Sequence, residues 1–369
     1  MGLEVTRQKL LSDARARLRV CHELDVTGRI AAANACVGIG KIVHALKYLG
    51  IRGEVNFVAS LDFTITRHAG RWGSGFSYGG ALEVAVEGEP IAIPEIRPNT
   101  CGTIVGRMNA AISTSELVRR VCDVRNARVG TFDYSRKNHF INVYRSSISD
   151  ERVFIIHGCP ASVRSDTADG PGLYLESSNH WRKRAITIDT PLGSLQPLVG
   201  VHATEYWENY QRCEAKSKAD RLTVARVVFG DFDIIADHTH EGMLTPQIYL
   251  HGCHAAPTSE LVFPVMSSMG EPAFLVSRDV ESPSISSNIA ILPHGTGYSI
   301  AVPARDFEMQ YVSAHDRVFL GRGATHEEAY SSFDDVPFTY RPNQAVHEWA
   351  NRRLLSIRDV LRAEVFLKL

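Results

Sequence analysis

The sequence predicts an α+β fold: a single domain of mixed strands with flanking helices around a central cleft. Three observations carry this expectation. The first fifty residues place apolar side chains at helical spacing, the stretch from Val55 to about Gly106 turns to short runs separated by Gly-rich turns, and helical and strand-like runs then interleave with no constant repeat. The coarse division is an N-terminal helical segment, 1–57, followed by one domain over 58–369.

The elements follow in order. "RQKLLSDARARLRVCHEL" and "RIAAANACVGIGKIVHALKYLG" read as helices, with Gly50 as the C-cap of the second. "RWGSGFSYGG" looks like a phosphate loop, but Tyr78 occupies the third glycine position and no long helix follows. "ISTSELVRRVCDVRN" is a helix with Ser113 or Thr114 as N-cap, followed by strands "HFINVYRS" and "ERVFIIHG". "SVRSDTADGPGLYLESSNHWRKR" is polar and turn-rich and reads as a long surface loop. "ATEYWENYQRCEAKSKADRLTVARVVFG" is the longest helical pattern. Strands "DFDIIADHTH", "QIYLHGC", "ELVFPVM", "PAFLVSR" and "NIAILPHGTGYSIAV" come next, then a helix "PNQAVHEWANRRLLSIRDVL" and a terminal strand "RAEVFLKL".

Composition narrows the function classes. Of 369 residues, 44% are hydrophobic, enough for a substantial core. Lys+Arg 40 against Asp+Glu 41 gives a net charge of -1, so a polyanion would have to be met by a local groove rather than by the whole-protein field. The Cys 7 is an odd number with no C-x-x-C, which argues against a disulfide framework and a zinc ribbon and favours a reducing, cytoplasmic setting. No apolar run approaches the roughly 20 residues of a membrane span, and no signal-peptide core is present, so no membrane partner is expected.

Histidine carries the chemistry. His157, His251 and His294 each stand where an apolar strand meets glycine, a place where a scaffold hands a side chain to a cleft. Two of these ends repeat the same letters, His157-Gly158-Cys159 and His251-Gly252-Cys253, as two copies of one ligand unit would. For any one histidine the blander alternative is a buried ring satisfied by backbone groups. In "ADHTHEG", His238 and His240 point to one face of a strand and make a metal pair, while Cys101 in "NTCGT" offers a thiolate. In "PHGTGYS", Gly295 and Gly297 let backbone N–H groups aim at an anion beside His294, which would attack phosphorus or protonate a leaving oxygen. "SSMGEP" is a second phosphate-turn candidate. No G-x-S-x-G, Walker loop or H-E-x-x-H is present.

Taken in order, these blocks resemble the RtcB family of tRNA-splicing RNA ligases. "GTFDYSRKNHFIN" resembles the family's G-T-L-G-x-G-N-H-F-I-E, "VFIIHGCPAS" its H-S-G-S-R-G, and "HATEYWENY" its G-T-E-Y-x-x-x-Y. "FPVMSSMGEPAF" resembles I-P-G-S-M-G-x-x-S-[FY], "PHGTGY" resembles H-G-A-G-R, and "LRAEVFLK" the terminal L-R-x-V-x-x-[VI]-K. The resemblance runs from about Val58 to the C-terminus.

It implies a cytoplasmic enzyme that joins RNA 3'-phosphate or 2',3'-cyclic phosphate ends to 5'-hydroxyl ends, with Mn²⁺ (one or two ions; Zn²⁺ is chemically acceptable) and GTP as co-substrate. A helper protein is a further candidate partner. The implied metal ligands are Cys101, His139, His157 and His238, a coherent thiolate and imidazole set. His294 would take GMP as a phosphoramidate, with Lys368 beside it in the catalytic centre. Asn138, Ser268, Gly295, Thr296, Gly297, Tyr340 and Lys368 would bind the nucleotide.

The chain departs from the family pattern at several positions. Pro98 stands at the family's aspartate ligand, and Asn142 at the glutamate that reads guanine. Ala161 and Tyr298 stand at two of its arginines, which weakens the expected grip on RNA phosphates. Two alternatives therefore stand beside the ligase: a degenerate homologue that binds RNA ends without joining them, and a metal-dependent RNA-end phosphatase or cyclic phosphodiesterase.

Overall fold

The Asp25 carboxylate accepts the Gly28 N–H at the start of the Val26–Leu49 helix, and the Gly50 amide turns back to the Leu46 and Lys47 carbonyls at its end. This computed structural model describes residues 2–66, 69–129, 133, 139–300, 306–311, 317–322, 327–330, 336 and 338–368. Side chains are described at all of these except 2–5, 69, 306–330 and 368. By length and composition the Val26–Leu49 helix is long and apolar enough to cross a membrane. Yet 78% of its most apolar window is buried inside the molecule, where Ala31, Ala35, Ile39 and Ile42 pack against Phe57 and Leu82.

That helix covers one half of an 11-stranded mixed sheet. Its order runs Leu18–Arg19, Gly53–Thr64, Tyr78–Val86, Ile248–His251, Phe232–Thr245, Cys101–Met108, Arg152–Gly158, Phe140–Ser146, Ser356–Lys368, Ala273–Ser277 and Phe263–Val265. Every pairing is antiparallel except the first. In the other half the period-two alternation is clean. Ile104, Phe154 and Ile156 face the Thr114–Asn126 and Val201–Phe229 helices, while Val105, Val153 and Ile155 face a second apolar cluster that includes Leu361. A smaller sheet, pairing Cys253–Ala256 with Ile289–Pro293, packs against the Phe232–Thr245, Gly53–Thr64 and Tyr78–Val86 strands of the large one.

Three expectations change. The last helix is Gln344–Asn351 only, because "SIRDVL" belongs to a strand that runs from Ser356 to Lys368 and pairs on both edges. The polar stretch after Val163 is not all surface: Leu173, Leu175 and Trp181 anchor it in the core, with the Trp181 indole donating to the Gly172 carbonyl at 2.7 Å. The division expected at 57/58 falls inside the Gly53–Thr64 strand, and the first helices share a core with the sheet.

Candidate metal centre and nucleophile

Strand register gathers the site. Gly102 pairs with Gly158 and Thr103 with His157, so one step further Cys101 lies opposite Cys159. On the other side of the Cys101–Met108 strand, Thr103 pairs with His238 and Cys101 with Glu241. Two steps on one strand thus meet three on the other: a β-bulge that gives His240 its own aim.

Five side chains converge as a result. Cys101 Sγ lies 3.4 Å from His157 Nε2 and 3.7 Å from His139 Nε2, and His157 Nε2 lies 3.1 Å from His240 Nε2. Cys159 Sγ is 3.9 Å from His139 Nε2. Two overlapping sets result, Cys101–His157–His240 and Cys101–His139–Cys159, each with its ligand atoms within 4.8 Å of one another and all residues buried. Zinc-like bond lengths at a tetrahedral ion place neighbouring N atoms about 3.3 Å apart and N and S about 3.6 Å apart. The observed spacings match that geometry within a few tenths of an ångström, so the residues present fit a divalent ion.

The surroundings hold these groups in ligand form. His139 Nδ1 lies 2.7 Å from the Asp133 carbonyl; donating its N–H there turns the Nε2 lone pair toward the sulfurs. Burial, followed by the neighbouring His294, His157 and His254 rings, holds the pKa of His240 well below the usual histidine range, which keeps it neutral and able to donate a lone pair. A hydrogen bond to Cys101, with burial added, pushes the Cys159 thiol pKa well up, so its ionisation needs a nearby cation. Just upstream of Cys101, Thr100 takes a left-handed φ of 60°, a strained conformation for a β-branched residue.

Arg221, on the Val201–Phe229 helix, staples the two cysteine-bearing strands. Its side chain is fully buried, pairs with Asp237 at 2.9 Å, and donates to the carbonyls of Thr100 and Gly158, the residues immediately before Cys101 and Cys159. Gly102 makes room for it, since a Cβ there would sit 3.0 Å from the guanidinium and 2.4 Å from the His238 carbonyl. A second buried pair, Arg71–Glu241 at 2.7 Å, fixes the residue next to His240.

His294 stands beside this cluster, its ring stacked on His240 with centroids 4.9 Å apart. Its Nδ1 lies 2.8 Å from an Asp62 carboxylate oxygen that also accepts the His294 and Gly295 N–H groups. Burial works against protonation of His294, but the Asp62 hydrogen bond and charge, with smaller help from Glu241 and the Gly252 carbonyl, hold its pKa above the usual value. The anion held by the "PHGTGYS" turn is therefore Asp62 itself. The Thr296 N–H goes to the Met266 carbonyl and the Tyr298 N–H to the Thr64 hydroxyl.

Cys101, His139 and His157 come together as the sequence suggested, while His238 turns aside. Its Nε2 lies 3.1 Å from the Val262 carbonyl and its ring rests on Phe263, leaving the position beside His157 to His240. Gly295, Thr296 and Gly297 form the turn behind His294. Ser268 lies in the adjacent loop, which touches that turn through Ser267 Oγ, 3.3 Å from Thr296 Oγ1. Tyr340 stacks on Tyr298 across a two-stranded sheet, centroids 4.9 Å apart. Lys368 pairs by backbone with Phe140, the neighbour of His139; Asn138 lies outside the described residues. The Asn142 amide is engaged within the sheet, donating to the Tyr144 hydroxyl and accepting the Leu367 N–H.

The residue pattern offered His240 with His238 as a metal pair, but the ligand set the resemblance implied kept only His238; Cys159, Asp62 and Arg221 were absent from that set. A strand-end cysteine two residues from a predicted ligand was a usable signal for Cys159. The bulge that selects His240 over His238 has no comparable signature. No protein-family model matches the chain, and no curated protein matches its sequence.

Proposed function

We propose that this chain is a metal-dependent RNA ligase of the RtcB type, joining RNA 3'-phosphate or 2',3'-cyclic phosphate ends to 5'-hydroxyl ends through a nucleotide carried on His294. The observation that supports it most is a single juxtaposition. An imidazole whose Nδ1 is held by a buried carboxylate stacks directly on His240, one member of a buried Cys/His set that fits a divalent ion. Cys101, His157 and His240 would hold the ion, and the ion would supply polarisation of the triphosphate.

The protein groups then divide the work. Asp62 fixes Nδ1, so Nε2 is the nitrogen that attacks the α-phosphorus, and the carboxylate balances the positive charge that builds on the ring. Pyrophosphate leaves. The nucleotide passes to the RNA 3'-phosphate and departs as the 5'-hydroxyl attacks. Because the Asn142 amide is spent inside the sheet, ATP is as fair a candidate co-substrate as GTP.

The test is covalent labelling. Incubation with α-labelled GTP or ATP, with Mn²⁺ or Zn²⁺, should leave acid-labile, base-stable label on the wild type and none on His294→Ala. An unlabelled wild type under every nucleotide and metal combination would reject the ligase reading. Cleavage of a 2',3'-cyclic phosphate end without any nucleotide would replace it with the phosphodiesterase.

A further inference from the structure

We propose that Cys159 is a metal ligand. Cys101, Cys159 and His139 form a second ion position, sharing Cys101 with the Cys101–His157–His240 set and taking a thiophilic divalent cation of the zinc class in preference to Mn²⁺. This rests on the metal reading of the same cleft, and it changes what that cleft selects.

The geometry is that of a prepared site. Cys101 Sγ and Cys159 Sγ come from facing strand positions and lie 3.7 and 3.9 Å from His139 Nε2, close to the about 3.6 Å that a tetrahedral ion with nitrogen and sulfur ligands imposes. Cys101 is 2% exposed and Cys159 and His139 are 0% exposed, so none of the three is a chance surface group. Two separate devices fix them. The Asp133 backbone carbonyl accepts from His139 Nδ1 and its N–H donates to the Cys159 carbonyl at 3.0 Å, tying imidazole and thiol to one residue. Arg221 fixes the carbonyl before each cysteine from the opposite face of the sheet. A thiol that merely filled core space would need neither.

The donor set decides the cation. Mn²⁺ prefers oxygen ligands, whereas thiolate and imidazole suit zinc. The carboxylates on these segments are committed elsewhere: Asp133 to Arg164, Asp237 to Arg221 and Glu241 to Arg71. An ion entering here meets sulfur and nitrogen. Each thiol gives its proton to solvent as the ions bind, so the two thiolates offset two of the four positive charges that the doubly loaded site carries.

The experiment uses the full chain, stripped with a chelator under reductant. Dialysis against Zn²⁺ should return two equivalents to the wild type, one to Cys159→Ser and one to His240→Ala. Titration with Co²⁺ should give a thiolate-to-cobalt charge-transfer band that loses most of its intensity in Cys159→Ser. Equimolar Zn²⁺ should displace Mn²⁺. Unchanged stoichiometry and cobalt spectrum in Cys159→Ser would overturn the assignment while leaving the His294 labelling result to judge the ligase reading. A wild type that holds no ion would remove both. Should the serine variant fail to fold, X-ray absorption of the zinc-loaded wild type answers the question: it must show more sulfur per zinc than one bridging thiolate supplies, and a lower value refutes the site.

Discussion

The two His-Gly-Cys strand ends carry the same three residues into opposite circumstances. At 157–159, His157 Nε2 faces Cys101 and His240, the Gly158 carbonyl accepts from Arg221, and Cys159 turns its sulfur to His139. At 251–253, the His251 ring packs between Phe57 and Phe76, centroids 6.0 and 5.8 Å away, and neither ring nitrogen has a hydrogen-bond partner among the described residues. Cys253 donates to the Gly80 carbonyl. Gly252, at a φ of 62°, lets the chain pass beneath Tyr78 and His294, where a Cβ would meet the Tyr78 ring at 2.6 Å. The first end faces a buried Cys/His cluster, and the second lies beneath Tyr78 and His294. Chemistry here belongs to the cross-strand neighbours that register supplies, and the motif itself is indifferent.

Removing the guanidinium that donates to the first end should have the largest effect. Arg221→Met leaves the Thr100 and Gly158 carbonyls without their donor and Asp237 without its partner. Asp237 is 24% exposed and can turn to water, so the cost falls on the two carbonyls left without a donor, at about 1–3 kcal/mol each. Urea denaturation should report that loss, and a variant within about 1 kcal/mol of wild type, the least that one such carbonyl sets, would mean the staple is decorative. Next in size is the ligand comparison. His157→Phe should weaken zinc binding by at least about 100-fold, the upper range seen when groups supporting a metal are removed, whereas His251→Phe should leave affinity unchanged. Equal affinities in the two variants would erase the distinction between the ends.

Much of this was legible in the sequence. The continuous apolar run in "ERVFIIHG" marks the strand that delivers His157, and the three- and four-residue spacing after Asp25 marks the helix that covers half of the sheet. Cys101 and His139 were named from local context and family resemblance and do converge. What stayed hidden was non-local. A period-two argument treats His238 and His240 alike, and only the partner strand's register reveals the extra residue that separates them. Arg221 reads as one of many charges on a long helix until Gly102 and the bulged strand make room for it. Asp62 sits in an apolar run with no polar neighbour to announce it, and its importance appears only once the His294 turn closes on it across the fold.

The second strand end supplies the smallest prediction and the one most specific to its apolar setting. Burial, aided by the Arg71 charge, pushes the His251 pKa from the ordinary 6.5 down to about 3. Above pH 6.5 both folded and unfolded chains hold the ring neutral, so His251 adds no pH dependence. As pH falls from 6.5 toward about 3, the unfolded chain binds a proton that the folded one refuses, and stability drops. The limiting slope for one such group is about 1.4 kcal/mol per pH unit. His251→Phe fills the same space between Phe57 and Phe76 without nitrogens, so its unfolding free energy should match or exceed the wild type at pH 7 and fall less steeply below pH 6 by roughly that slope. Denaturant titrations from pH 7 to pH 4.5, a range of roughly the width the linkage requires, read the difference. Parallel curves for the two proteins would show that His251 gains a proton acceptor in the folded state after all, and the contrast between the two ends would then rest on the metal ligands alone.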